Sequence, residues 1–397
     1  MSGVVLYDDA RARRFEPFAL TRPLGEMRAG ALLVRERWER TLGVDTIGFV
    51  GAPQLADFDE PGAAQAIATI PRGAVVANTR FAPALRAGES KAARWHADGR
   101  VAAVRVGREL AAEELAAADG DLDALPRAAG GDARLEGTWL DEVWELVATL
   151  SEMLCADIPA LGSGLRRLTA HDAILIGDHP VFVADGAIVE PHVCFDVRHG
   201  PVLIERGGTV QAFSRVVGPC YVGEESIVTT DRVAGCSIGP HSKVHGEMSV
   251  TVVLGYSNKG HGGFVGHSYL GAWTNLGAET VTSNLKNTYG PVTLWTPDGI
   301  RDTGMQFLGT LFGDHVKTGI NLPLTTGTVL GAGANVFGRM PPKVVAPFAW
   351  GEAGSFATYR IDKFLEVAAR VMSRRSVALS ERERKQLAAS HAARWSA

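Results

Sequence analysis

Hydrophobic positions follow two different rhythms along this chain. From Val4 to about Ala170, short apolar runs alternate with stretches of helical spacing. Val4-Val5-Leu6-Tyr7, Thr46-Ile47-Gly48-Phe49-Val50 and Ala74-Val75-Val76-Ala77-Asn78 read as strands, whereas Ala31 to Leu42 and Thr138 to Leu154 place apolar residues three and four apart. Strands alternating with helices predict an α/β layer around a largely parallel sheet. After Ile174 the helical spacing stops and a period of six replaces it. The period runs through Ile204, Val210, Val216, Val222 and Val228; through Ile238, Val244 and Val250; through Phe264, Leu270, Leu276 and Thr282; and through Phe312, Thr318, Leu324, Leu330 and Val336. Six-residue sides stacked as coils predict a parallel β-helix. Asn284 to Leu308 breaks the period and predicts a loop long enough to be functional. Helical spacing returns at Ile361, Phe364, Leu365, Ala368 and Val371, so Arg360 to Arg374 should form a helix that caps the solenoid or an oligomer of it. The expected divisions are an α/β domain over residues 1–170, a β-helix over 171–340 and a tail with its helix over 341–397.

Composition sharpens this picture in a few places. Forty-six glycines in 397 residues, without low-complexity tracts, suit many regularly placed turns. A formal charge of -4 disfavours binding nucleic acid through phosphate neutralisation. No apolar run has the length of about 18 residues that spans a bilayer, and Met1 to Asp9 lacks a basic, apolar leader, which places the expected location in the cytoplasm. Cys155, Cys194, Cys220 and Cys236 form no C-x-x-C pair and read as small buried hydrophobes.

The stretch from His261 to Asn284, HGGFVGHSYLGAWTNLGAETVTSN, carries the candidate chemistry. It resembles, without a gap, the acetyltransferase core of the bifunctional N-acetylglucosamine-1-phosphate uridyltransferase/glucosamine-1-phosphate N-acetyltransferase family. The SNKGH run (Ser257 to His261), the SNLKNTYG run (Ser283 to Gly290), Leu311 to Asn321 and Pro347 to Gly351 extend the resemblance to a divergent branch of sugar nucleotidyltransferases. The resemblance implies a left-handed β-helix, acetyl-CoA as cosubstrate, an amino-sugar phosphate as acceptor and a homotrimer with acetyl-CoA between neighbouring subunits. His261 then matches the general base and Asn275 a sugar-phosphate contact. Ala278, Asn284, Leu285 and Ile320 fall in the acetyl-CoA site. Phe264 replaces the family's tyrosine and Glu279 a glycine. Lys259 and Lys286 flank the segment and are the expected phosphate-binding cations.

These residue types suit acyl transfer. A neutral amine attacking a thioester needs a base that titrates near neutrality, which histidine supplies. Its tetrahedral oxyanion needs fixed donors, and backbone N–H groups at coil corners are available for that. Asparagine donates and accepts at once. His267, one hexad later, is the rival base; Glu279 is placed to orient the His261 imidazole; and His241 with His245 has helical rather than hexad spacing, so no metal is expected in the β-helix.

Active sugar nucleotidyltransferases follow their first strand with a glycine-rich phosphate loop. Here Val4 to Tyr7 is followed by DDARARRFEPFALTRPLGEMRAG, whose first glycine is Gly25. Arg22 and Asp8 are the candidate nucleotide contacts, and Asp8 or Asp9 is the candidate Mg²⁺ ligand, if the domain retains nucleotidyl transfer from UTP or another NTP. The alternative to an enzyme is a non-catalytic or sugar-nucleotide-binding β-helix assembly protein with a degenerate nucleotidyltransferase domain.

Overall fold

A computed structural model describes residues 3–118 and 120–396. The chain divides into two compact units, Met1–Val143 with Ser380–Ala393, and Trp144–Leu379 with Arg394–Ala397. The division therefore falls earlier than the expected boundary at 170, and part of the tail belongs to the first unit.

The first unit is built on a six-stranded mixed sheet. Its strands are β1 (Val4–Tyr7), β2 (Thr46–Val50), β3 (Val75–Asn78), β4 (Arg94–Ala97), β5 (Arg100–Arg105) and β6 (Asp132–Arg134), in spatial order β6-β4-β5-β3-β1-β2. β1 runs parallel to both β2 and β3, while β5 is antiparallel to β3 and β4. β6 also runs parallel to β4, so the largely parallel expectation fails only at β5. The four residues of β1 are fully buried, as an apolar run between two parallel neighbours should be. Helix α1 (Val34–Leu42) starts later than its spacing predicts, because Leu32–Leu33 pairs with Arg28–Ala29 in a two-stranded ribbon. Gly43, at φ 65°, ends the helix by bonding back to the Glu39 carbonyl. The helix predicted over Thr138–Leu154 is corrected in the same way. Gly137–Trp139 pairs with Phe81–Pro83, and helix begins only at Glu145, continuing as α2 (Leu150–Leu161).

The second unit is a parallel β-solenoid of about ten turns with three faces. Face A stacks strands from Val181–Val183 to Val344–Val345; face B from Ile174–Ile176 to Phe264–Gly266; face C from Ile188–Val189 through Asn258–Lys259, Lys317–Thr318 and Asn335–Val336. The period-six residues fill its interior: Ile204, Val210, Val216, Val222, Val228, Ile238, Leu270, Phe312, Leu330 and Val336 are completely buried. Two members of the ladder depart from it. Val250 sits at a corner with φ 46°, where Met248 and Val253 occupy the core beside it, and Phe264 turns outward while Val265 points in. The cause is coil length, which falls from the 18 residues separating Ile204 and Val222 to the 15 separating Ile238 and Val253. Corners carry left-handed residues, many of them not glycine. His241, Tyr256, Trp273 and His315 all have φ between 53° and 61°, and their rings stack at centroid distances of 4.9, 4.4 and 6.4 Å. Stacking of this kind recovers part of the cost of the left-handed conformation.

The loop from Asn284 to Leu308 leaves face B and forms a hairpin, Thr293–Thr296 against Gly299–Asp302. Helix α3 (Ile361–Ser373) buries Phe364, Ala368 and Met372, with Phe364 packed edge-on against His315 and Phe348, which meets the capping expectation for this segment. Helix α4 (Glu381–Ala392) rejoins the first unit, where Gln386 and Ser390 bond the Thr21 and Leu20 carbonyls. Only two of the four cysteines are buried, Cys220 and Cys236, with the Cys236 thiol pushed up to about 12 by burial. Among the described residues no helix is long and apolar enough to cross a membrane.

Candidate active site

The coil Val252–Tyr269 and the two after it bring the predicted residues to three places. The first is the corner between faces C and B. His261 is exposed there, between Gly260 and Gly262. On the next coil Glu279 donates its N–H to the Gly262 carbonyl at 3.1 Å, and on the coil after that Asn321 donates to the Ala278 carbonyl at 2.8 Å. Asn275 bridges Lys317 across the same two coils, so three residues further on Ala278 and Ile320 lie in register. Among the described residues neither Ala278 nor Ile320 has a hydrogen-bond partner for its N–H, and the Ile320 side chain is 68% exposed. Glu279 stacks over Gly262, where its carboxylate takes the space of a Cβ; no hydrogen bond joins it to His261 among the described residues.

The second place is the corner between faces B and A. His267, at φ 48°, is half-buried, accepts a 2.8 Å hydrogen bond at Nδ1 from Asn284 Nδ2, and stacks on Phe307 at 5.2 Å. Burial lowers its pKa from the ordinary histidine value. Leu285 pairs with Phe307 at the root of the ejected loop. Phe264 lies between the two corners: a Cβ on Gly266 would meet its ring at 2.5 Å and Asn284 Nδ2 at 2.6 Å. The glycine therefore gives Phe264 and Asn284 room to meet. His261, Ala278 and Ile320 are thus on one corner, Asn284 and Leu285 on the other, with Phe264 along the face that joins them.

Face C is the third place. Asn258 donates to Asn275 Oδ1 at 3.0 Å, and both amides point outward beside Lys317. Lys317 was not singled out over its neighbours by sequence; its outward register beside Asn275 becomes visible only once the ejected loop is removed from the coil count.

Neither expected phosphate-binding lysine is free for that role. Lys259 points into the solenoid, is 1% exposed, and gives its ammonium hydrogens to the carbonyls of His245, His261 and Gly262. Burial pushes its pKa down to about 8. Strand alternation explains the miss, since the residue paired with Val244 must face inward. Lys286 closes its own turn on the Pro291 carbonyl.

In the first unit, Asp8 and Arg22 are likewise occupied. Asp8 is 3% exposed; Thr79 Oγ1 donates to Oδ1 at 2.6 Å and the Leu24 N–H to Oδ2 at 3.1 Å. Burial raises its pKa to about 6. Arg22 is 3% exposed and makes a two-pronged ion pair with Glu60 at 2.5 and 2.7 Å. Asp8 does not fit as a Mg²⁺ ligand, because it is buried with both oxygens accepting hydrogen bonds, and the neighbouring Asp9 carboxylate is held by Arg80 and Asn78. Among the described residues no group of three His, Cys, Asp or Glu is placed to hold a metal.

The chain thus consists of a unit built on a mixed sheet and a unit built on a parallel β-solenoid. Residues 4–165 match the family model described as sugar nucleotidyl transferase. Among curated proteins, the chain is 29% identical over 117 residues to the bifunctional protein GlmU of Methanococcus vannielii, covering 29% of this chain and 26% of that protein. It is 31% identical over 91 residues, 23% of either chain, to the bifunctional sugar-1-phosphate nucleotidylyltransferase/acetyltransferase of Sulfurisphaera tokodaii. A GlmU of Methanococcus maripaludis is 33% identical over 86 residues, 22% of this chain and 21% of that protein. Each match spans about a quarter of the relative's length.

Proposed function

We propose that the solenoid is an acetyl-CoA-dependent N-acetyltransferase acting on an amino-sugar 1-phosphate of the glucosamine-1-phosphate type, within cytoplasmic nucleotide-sugar formation. The observation that carries this reading is the corner where His261 lies beside Ala278 and Ile320, whose N–H groups have no partner among the described residues. His261 accepts the proton released as the amine attacks the thioester carbonyl. The free N–H groups stabilise the oxyanion, and collapse expels the CoA thiolate. Phe264 presents an apolar wall to the sugar, Asn275 bonds its hydroxyl or phosphate oxygens, and Asn284 bonds the acyl donor. Asn284 is held by His267, so His267 acts as a positioning residue. A second reading, with His267 as the base, is favoured by its half-buried imidazole, whose pKa burial lowers.

The active form is a homotrimer. Ile320 is 68% exposed, Trp350 41% and Phe337 37%, and Phe337 and Trp350 are in edge contact at 6.0 Å, giving the same edge of the solenoid an apolar strip for a neighbouring copy. The first unit is a degenerate sugar-nucleotide domain, supported by the absent glycine loop and by the engagement of Asp8 and Arg22 in internal contacts. The test is thiol release from acetyl-CoA with and without glucosamine-1-phosphate. Release that depends on the amino sugar supports the enzyme; none at any amino sugar phosphate leaves the assembly-protein alternative.

A further inference from the structure

Face C and the end of α3 enclose a cavity of about 210 Å³. Three cations line it, Lys317 from the coil and Arg374 and Arg375 from the helix terminus, and no acidic residue does. Elsewhere the arginines of this chain are paired repeatedly: Arg198 and Arg215 share Asp196, Arg360 meets Asp362, and Arg370 meets Glu366 on α3 itself. Lys317, Arg374 and Arg375 have no carboxylate partner among the described residues. Among the described residues the Lys317 ammonium donates only to the His315 carbonyl, at 3.1 Å. The cavity also holds neutral donors. Asn275 uses its Oδ1 to accept from Asn258, which leaves its NH₂ unspent, and Thr274 has a buried hydroxyl with no partner among the described residues. Like charges converging on one enclosed polar space without a counter-charge destabilise one another unless an anion lies between them. Burial also lowers the pKa of Lys317 to about 8, and the neighbouring Arg374 adds to the lowering at Arg375, as expected for uncompensated charge.

We propose that this cavity is a phosphate-binding site, taking either free phosphate or the phosphate of a sugar monoester between Lys317, Arg374, Arg375 and the Asn275 amide. Two guanidinium forks and an ammonium match the oxygens of a tetrahedral dianion, and the asparagine supplies a neutral donor. The site requires no step of acetyl transfer, so it is tested without acetyl-CoA.

The experiment is isothermal titration of the full chain with inorganic phosphate and, separately, with α-glucose 1-phosphate, which has no amine to acetylate, against sodium chloride of equal ionic strength. Saturable binding of phosphate that chloride does not reproduce is expected. Arg374→Gln and Arg375→Gln, both at exposed positions, should each weaken it about tenfold, the scale of one lost charge-assisted hydrogen bond. Lys363→Gln, on the same helix but outside the cavity, should leave it unchanged. Tighter binding of glucose 1-phosphate assigns the site to a monoester, and equal or weaker binding to free phosphate. Phosphate binding no different from chloride, or unaltered in both arginine variants, overturns the proposal. Asn275 belongs to this site and to the proposed acceptor site, so the monoester assignment rests on that reading; amino-sugar-dependent thiol release, measured separately, distinguishes failure of the phosphate site from failure of the acetyltransferase.

Discussion

Replacing Asp8 with asparagine should stabilise the first unit, and the structure gives the size and the pH dependence of the effect. The carboxyl is 3% exposed and its pKa rises from 3.8 to about 6, with burial the largest cause and the Thr79 and Leu24 hydrogen bonds opposing it. A folded-state pKa above the unfolded one means that the folded protein holds its proton more tightly. This contribution is fully present below pH 3.8 and is lost as pH rises to about 6. Two pKa units correspond to about 3 kcal/mol. Asparagine removes the charge and keeps the geometry satisfied: its oxygen accepts the Leu24 N–H, and its NH₂ donates to Thr79 Oγ1, which itself donates to the Tyr7 carbonyl at 3.2 Å. Calorimetry of wild type and Asp8→Asn from pH 4 to pH 7.5 should show nearly equal stability at pH 4. A gap of roughly 1–3 kcal/mol in favour of the variant should open by pH 6.5, raising the transition of the first unit by several degrees. A gap that does not change with pH, or a variant less stable at pH 7.5, would refute the reasoning.

Other outcomes follow from the same geometry. Arg22→Ala strands Glu60 and should lower the stability of the first unit by about 3 kcal/mol, the scale for breaking a buried pair, without removing any UTP-dependent pyrophosphate release, which should be absent from the wild type; magnesium-dependent release that disappears in the variant would restore a catalytic role to this domain. The His267 ring, followed by NMR, should titrate below the ordinary 6.5, because burial disfavours its charged form; a midpoint at or above that value would show the ring to be solvated. Gly262→Ala forces a Cβ against the Glu279 carboxylate and should depress acetyl transfer while the circular dichroism of the solenoid persists; undiminished turnover would mean that this corner is not the site. Light scattering should give a trimer at micromolar concentration, and a monomer would leave the apolar strip at Ile320 and Phe337 unexplained.

The solenoid was legible in sequence because each coil repeats one simple requirement, an inward apolar residue on each face, and Ile204 to Val228 meet it with full burial. Legibility failed where coils shorten or bulge. Val250 and Phe264 keep the period in sequence but leave the core, and Lys259 turns inward, since alternation within a strand overrides the type of residue. The first unit was harder to read. Its strands β1, β2 and β3 follow the apolar runs, but the helical spacing of Thr138–Trp139 yields to pairing with Phe81–Ala82, a long-range contact that no local pattern records. For the candidate site, residue types pointed to the coils that carry His261, Ala278 and Ile320. They did not show that His261 with Ala278 occupies one corner and His267 with Asn284 another, because that separation depends on where each coil turns.

The most direct test compares His261→Ala with His267→Ala in acetyl-CoA turnover with glucosamine-1-phosphate, each checked for an unchanged oligomer. His261→Ala should reduce kcat by about 10²–10⁴, the usual loss on removing a general base, and His267→Ala should chiefly raise KM for acetyl-CoA by freeing Asn284. Near-normal turnover in His261→Ala, with loss of kcat in His267→Ala, would move the base to the other corner and contradict the account.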